Sequence, residues 1–163
     1  MKDKSEMMDR GRKNLSIKSM AFNRFLIFRY VTAGFFFTNM YWMFLLFGRT
    51  GFYWLLPAAL LLVNIAVAVE QTGKYWRPNH KLTLTISGYW TQLASNMALV
   101  MVMLFGFNRT FWPFINDQSQ SVVLIILLAG MGLCLLLEWR ARLISQDQDK
   151  YFKLLQDFKV SLQ

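Results

Sequence analysis

The sequence is short of charge, and what charge it has is missing from four long stretches. Asp, Glu, Lys and Arg make up 17% of the residues, where soluble domains carry about 25%. None of the four occurs in Tyr30–Phe47, Phe52–Val69, Leu84–Phe107 or Gln118–Leu137, stretches of 18, 18, 24 and 20 residues. A helix needs roughly 20 mainly apolar residues to cross a hydrocarbon core of about 30 Å. These stretches also lack the polar face that a soluble amphipathic helix shows at helical period. Together these absences exclude an ordinary soluble helical bundle and predict four membrane spans, at about 30–47, 52–69, 84–107 and 118–137.

Other absences narrow the chemistry. One cysteine, Cys134, excludes an intrachain disulfide, a cysteine metal cluster and a Cys–Cys redox pair. The one histidine, His80, lies in Arg77-Pro78-Asn79-His80-Lys81 with no carboxylate or second base close in sequence, which reads as a solvated interfacial residue. There is no phosphate-binding glycine loop with its lysine, no G-x-S-x-G nucleophile turn and no H-E-x-x-H zinc motif. No pair of carboxylates falls within a span. No catalytic residue, metal site or cofactor is therefore expected. The first apolar stretch follows a long basic lead and has no small-residue cleavage site, so it reads as a retained span and not a signal peptide.

What is present is positive charge, placed on one side. The net charge is +9, from 18 Lys and Arg against 9 Asp and Glu. Sixteen of the eighteen cations lie before the first span, in the connection after the second, or after the fourth; the other two connections hold only Arg49 and Arg109. Lys and Arg in short loops stay on the cytoplasmic face, so both termini are predicted inside. Basic segments at that face gain about 1 kcal/mol per residue from anionic lipid. The expected partners of this charge are inner-leaflet lipids and not nucleic acid.

The expected architecture is all-α and polytopic, a four-helix transmembrane bundle of two antiparallel hairpins with a cytoplasmic amphipathic helix at the C-terminus. Residues 1–29 form a basic cytoplasmic or interfacial segment, 30–137 the transmembrane domain and 138–163 the cytoplasmic tail. The turn Gly48-Arg49-Thr50-Gly51 is short enough to force the first two spans to be antiparallel neighbours. Trp54, Trp76, Trp112 and Trp139 mark boundaries, as aromatic belts do, while Trp42 and Trp90 lie deeper and read as packing residues. The outer stretch Phe111-Trp112-Pro113-Phe114-Ile115 is too apolar for a free loop and is expected on the bilayer surface or slightly within it. In the tail, Ser145-x-x-Gln148 has the form of a capping box. Tyr151, Leu155, Phe158 and Leu162 then recur at helical spacing with Phe152 beside them, as a helix lying on the inner leaflet or as a docking surface for a partner.

A pattern recurs. Asn39-Met40, Leu46-Phe47-Gly48, Arg49-Thr50, Phe52, Trp54 and Pro57 are echoed in order by Asn96-Met97, Leu104-Phe105-Gly106, Arg109-Thr110, Phe111, Trp112 and Pro113. Either two related hairpins stand in a parallel two-plus-two arrangement, or residues common at membrane turns coincide. Each hairpin also ends in a carboxylate at the inner boundary, Glu70 and Glu138.

Polar groups inside a bilayer are costly, so those present need a reason. Asn39, Asn64, Gln92 and Asn96 fall inside the spans. They read either as helix-to-helix hydrogen bonds, about 0.6 kcal/mol each, or as the lining of a shared midplane pocket. Glu70, Arg77, His80, Glu138 and Arg140 gather at the inner interface, where the carboxylates anchor helix ends or pair with nearby cations. Three functions compete. The leading one is a non-enzymatic membrane subunit that binds or stabilises a larger membrane complex, through a membrane-protein partner or a second copy. A small, dimeric transporter or channel using the midplane amides is the alternative. A lipid-acting enzyme has only His80, Glu70 and Glu138 to work with. Short connections, a basic start and two sequons placed beyond use (Asn14-Leu15-Ser16 and Asn108-Arg109-Thr110) favour a bacterial plasma membrane.

Overall fold

The computed structural model describes residues 25–48, 51–76 and 82–146 of the chain. Four long helices carry it: α1 (Leu26–Leu46), α2 (Leu55–Trp76), α3 (Thr83–Leu104) and, after a single helical turn α4 (Asn108–Phe111) and a 3-10 turn (Asp117–Ser119), α5 (Gln120–Ser145). The described residues contain no strand.

Local chemistry sets the helix ends. Both α1 and α3 stop at a phenylalanine followed by a left-handed glycine, Gly48 with φ 78° and Gly106 with φ 79°. After α3 the Phe107 N–H donates to the Val102 carbonyl and the Gly106 N–H to the Met103 carbonyl, both at 3.1 Å. That double bond pattern satisfies the orphan carbonyls and requires a residue tolerant of positive φ. Pro57 is tolerated in the first turn of α2 because no N–H there has an intrahelical acceptor.

The helices pack in sequence, α1 on α2, α2 on α3 and α3 on α5. Directions follow from cross-links: the start of α1 meets the end of α2 through Arg29, which donates to the Gln71 carbonyl at 3.1 Å. The end of α2 meets the start of α3 through Glu70. At the α2–α3 crossing Gly88 is in close contact with valines. A Cβ there would lie 2.3 Å from Val67 Cγ2 and 3.4 Å from Val63 Cγ1, so only glycine lets the two helices come this near.

Beside an apolar core, polar side chains are buried and large apolar ones are exposed. Thr32, Asn39, Asn64, Gln71, Thr85, Gln92, Asn96 and Glu138 are buried, while Leu62, Ile65 and Val69 of α2 and Ile125, Ile126 and Leu128 of α5 are exposed. Two helices, α2 over Leu55–Gly73 and α5 over Gln120–Ser145, are long and apolar enough to cross a membrane. Only 22% of the apolar window of α5 is buried, whereas the core helix of a soluble protein would be mostly covered. Helices α1 and α3 are of similar length, 21 and 22 residues, and their polar residues Thr32, Asn39, Thr85, Gln92 and Asn96 are buried.

Helix ends differ from the sequence reading: α1 begins at Leu26, α2 runs on to Trp76, and α5 passes its expected end. Helix α5 continues past Leu137 to Ser145, so Glu138, Trp139 and Arg140 belong to it and not to a separate tail. The reason is a continuing buried stripe, Cys134, Leu137, Ala141 and Ile144, which packs with Phe25 and Phe28 at the start of α1. The segment Phe111–Ile115, expected on the bilayer surface or slightly within it, packs onto the bundle: Trp112 is buried among Leu99 and Leu127, with Trp42 and Phe114 against them.

Candidate binding cleft

Helices α1 and α5 pack together at the start of α1, and beyond that contact a cleft separates them. It encloses about 760 Å³, within the range of sites that hold a guest. Its α1 wall runs from Tyr30 to Leu45 and its α5 wall from Val123 to Leu133, and Trp112, Phe114 and Ile115 close one end. Among the described residues no Lys, Arg, His, Asp or Glu lines it.

Three of the four midplane amides form its floor. Asn39 Nδ2 donates to Gln92 Oε1 at 3.1 Å, and Gln92 Nε2 donates to Asn96 Oδ1 at 3.1 Å. Asn39 and Asn96 are 3% and 5% exposed, so this chain of amides is held by the helices around it. Gly130 of α5 makes room for it; a Cβ there would lie 2.8 Å from Asn96 Nδ2. Asn64 does not join. Its Nδ2 donates to the Leu60 carbonyl of its own helix at 2.9 Å, and it lines a separate cleft between α1 and α2 with Arg29 and Thr72.

The aromatic end is built by stacking. Trp42 and Trp112 lie nearly parallel, centroids 5.8 Å apart and planes 13° from each other, and Trp42 Nε1 donates to the Phe111 carbonyl at 3.0 Å. Stacked pairs of this kind add about 0.5–1.5 kcal/mol beyond area burial, enough to hold the segment over the cleft end. Trp42 is thus the packing residue the sequence suggested. Trp90, grouped with it, is 47% exposed.

A second polar cluster was not legible beforehand. Tyr89 is 2% exposed; its hydroxyl lies 2.8 Å from Thr32 Oγ1 and donates to the Phe28 carbonyl at 3.1 Å. Gln71 Nε2 donates to Thr32 Oγ1 at 3.1 Å. The cluster joins α1, α2 and α3 at one level. A signal did exist, since Thr32 and Tyr89 are 57 positions apart, the separation of Asn39 and Asn96.

At the other inner-interface positions the two carboxylates behave differently. Glu70 Oε2 accepts from the Thr85 N–H at 2.6 Å and from Thr85 Oγ1 at 2.7 Å, and Oε1 from the Leu84 N–H at 3.3 Å. It caps α3 from the neighbouring helix, where the sequence suggested an anchor for its own helix end or a partner for nearby cations. Glu138 is 4% exposed, and by distance and angle neither of its oxygens has a hydrogen-bond partner among the described residues. Arg140 is half-buried two positions on. Arg77, His80, Tyr151, Phe152, Leu155, Phe158 and Leu162 lie outside the described residues, as does the basic segment up to residue 24. Among the described residues no three His, Cys, Asp or Glu side chains could hold a metal ion.

The class these features define is an all-helical protein with two helices able to cross a membrane and an uncharged, amide-floored cleft. No known protein family, curated protein or solved structure matches the chain.

Proposed function

We propose that this chain is an integral protein of a bacterial plasma membrane, crossing it four times with both ends inside, and that it serves as a non-enzymatic subunit. Its partner in a larger membrane complex docks a transmembrane helix in the cleft between α1 and α5. The observation that carries this reading is the cleft itself, a groove between two membrane-length helices that the described chain leaves open along its side. The four charge-free stretches coincide with the four long helices, and sixteen cations against two favour the orientation.

A comparison within the molecule supports the choice of seam. If α1–α2 and α3–α5 are related hairpins, the seam matching α1/α5 is α2/α3. That one is closed, with Val67 and Val63 over Gly88 and Glu70 on the start of α3. The open seam is then the one left for a guest. A reading as transporter or channel draws on the same three amides; flux of ions or small solutes into liposomes holding only this chain would move the assignment there.

Gly34 provides the test. It lines the cleft, and a Cβ at its position would meet nothing within 4 Å. Gly34→Ile should fill the groove while leaving the bundle's melting temperature within about 2 °C of wild type, as expected for a substitution that creates no clash. Co-purification in mild detergent should recover the partner with wild type and lose it by at least fivefold with Gly34→Ile. Equal recovery with both would remove the cleft from the docking role.

A further inference from the structure

We infer that the helix received by the α1/α5 cleft presents an uncharged hydrogen-bonding side chain, an amide or a hydroxyl, at the depth of Asn39 and Asn96. This rests on the docking reading above and specifies its chemistry. The chain of amides runs in one direction, Asn39 donating to Gln92 and Gln92 to Asn96. It leaves an acceptor at one end, Asn39 Oδ1, and a donor at the other, Asn96 Nδ2, neither with a further protein partner among the described residues. Both residues are more than nine-tenths buried and both line the cleft. A polar atom left unmatched in an apolar setting is costly, and a guest with an amide or a hydroxyl at that depth can donate to the Asn39 end or accept from the Asn96 end.

The rest of the lining selects the guest further. With no Lys, Arg, His, Asp or Glu among the described residues that line the cleft, a guest carrying Lys, Arg, Asp or Glu at mid-depth would bury an unpaired charge, which membranes tolerate poorly. A helix fits better than a lipid chain because the walls are cut back at that depth, with Gly34 and Thr38 on α1 and Ala129 on α5. Small residues matter where two backbones approach and give nothing to an alkyl chain. Thr38 makes no demand of its own, since its hydroxyl donates to the Gly34 carbonyl at 2.9 Å. From Tyr30 to Leu45 the α1 wall spans about 22 Å at 1.5 Å per residue, most of a hydrocarbon core.

The test uses the full chain in phosphatidylcholine vesicles and three synthetic Leu/Ala transmembrane peptides with Asn, Leu or Lys at the centre, each bearing a fluorescence acceptor. Energy transfer from the protein's tryptophans reports binding. The Asn peptide should bind about threefold to tenfold more tightly than the Leu peptide, the span expected for one interhelical amide bond, and the Lys peptide most weakly. Gly34→Ile should abolish binding of all three, and Asn39→Leu should erase the Asn advantage. The wild-type comparison of Asn with Leu decides alone if Asn39→Leu fails to fold. Equal binding of the Asn and Leu peptides, both blocked by Gly34→Ile, overturns this inference and leaves the docking reading standing. Peptides that do not bind, together with a lipid released from wild type but not from Gly34→Ile in native mass spectrometry, overturn both.

Discussion

Gly88→Ala is expected to lower the stability of the bundle by about 2–3 kcal/mol, the upper part of the range for an overpacked core. The new methyl would lie 2.3 Å from Val67 Cγ2, closer than carbon atoms can approach. Val67 cannot turn aside, because it is 2% exposed and a β-branched side chain in a helix has one strongly preferred rotamer. Helices α2 and α3 must then separate, which also loosens Glu70 from the start of α3. The roughly 1 kcal/mol that alanine gains over glycine in helix propensity only partly offsets this. Two controls make the result interpretable. Gly132→Ala, where a Cβ would meet nothing within 4 Å, should leave stability unchanged or raise it. Val67→Ala added to Gly88→Ala should recover much of the loss, a coupling that unfolding in mixed micelles would measure as a double-mutant cycle.

Glu70→Ala should cost about 2 kcal/mol and should act on α3, not on α2 where the residue resides. Three donors lose their acceptor at once, the N–H groups of Leu84 and Thr85 and the hydroxyl of the fully buried Thr85. Hydrogen bonds to a charged group contribute about 1.5–3 kcal/mol each at most, and a carboxylate at a helix N-terminus is also favoured by the helix dipole. Water at the inner interface would satisfy the Leu84 N–H, which is why the expected loss is below the sum. Amide exchange locates the effect: Leu84 and Thr85 should exchange at least tenfold faster in Glu70→Ala, with the α1–α2 turn unchanged. Glu70→Gln keeps one acceptor oxygen and should fall between.

Much of the helical organisation could be read from the missing charges. An absence of Lys, Arg, Asp and Glu over about 20 residues is a one-dimensional property, and the four long helices of the structure fall on the four such stretches. The turn glycines were legible for a related reason, since a left-handed φ is a local demand that Gly48 and Gly106 alone meet cheaply. Where the sequence reading stopped short was in three dimensions. Asn39, Asn64, Gln92 and Asn96 looked alike as amides in apolar runs, but only rotation of the helices about their axes separates Asn64, which bonds its own helix, from the three that meet. Glu70 read as an anchor for its own helix end or a partner for the cations near it in sequence, whereas the start of α3 is near it in space. The segment Phe111–Ile115 was apolar for a reason composition could not resolve: a bilayer surface and a cleft end make the same demand on a phenylalanine or a tryptophan.

Buried amides and hydroxyls inside, together with many exposed leucines and isoleucines outside, are what a bilayer around the helices would produce. Against hydrocarbon, apolar side chains have no reason to hide, and polar ones must find each other. That gives small clusters such as Tyr89–Thr32–Gln71 and the amide chain a defining role. Their bonds are modest singly, about 0.6 kcal/mol in a membrane, but they are directional. They fix which faces of α1 and α3 meet, and so which seam is left open beside them.

The account depends most on four crossings with both ends inside, and single-cysteine labelling with a membrane-impermeant maleimide on intact cells measures that directly. In a Cys134→Ser background, Phe52→Cys and Ser119→Cys at the outer connections should label without permeabilisation, and Thr83→Cys and Gln146→Cys only after it. Labelling of Gln146→Cys or Thr83→Cys in intact cells, or protection of Ser119→Cys until permeabilisation, would contradict it.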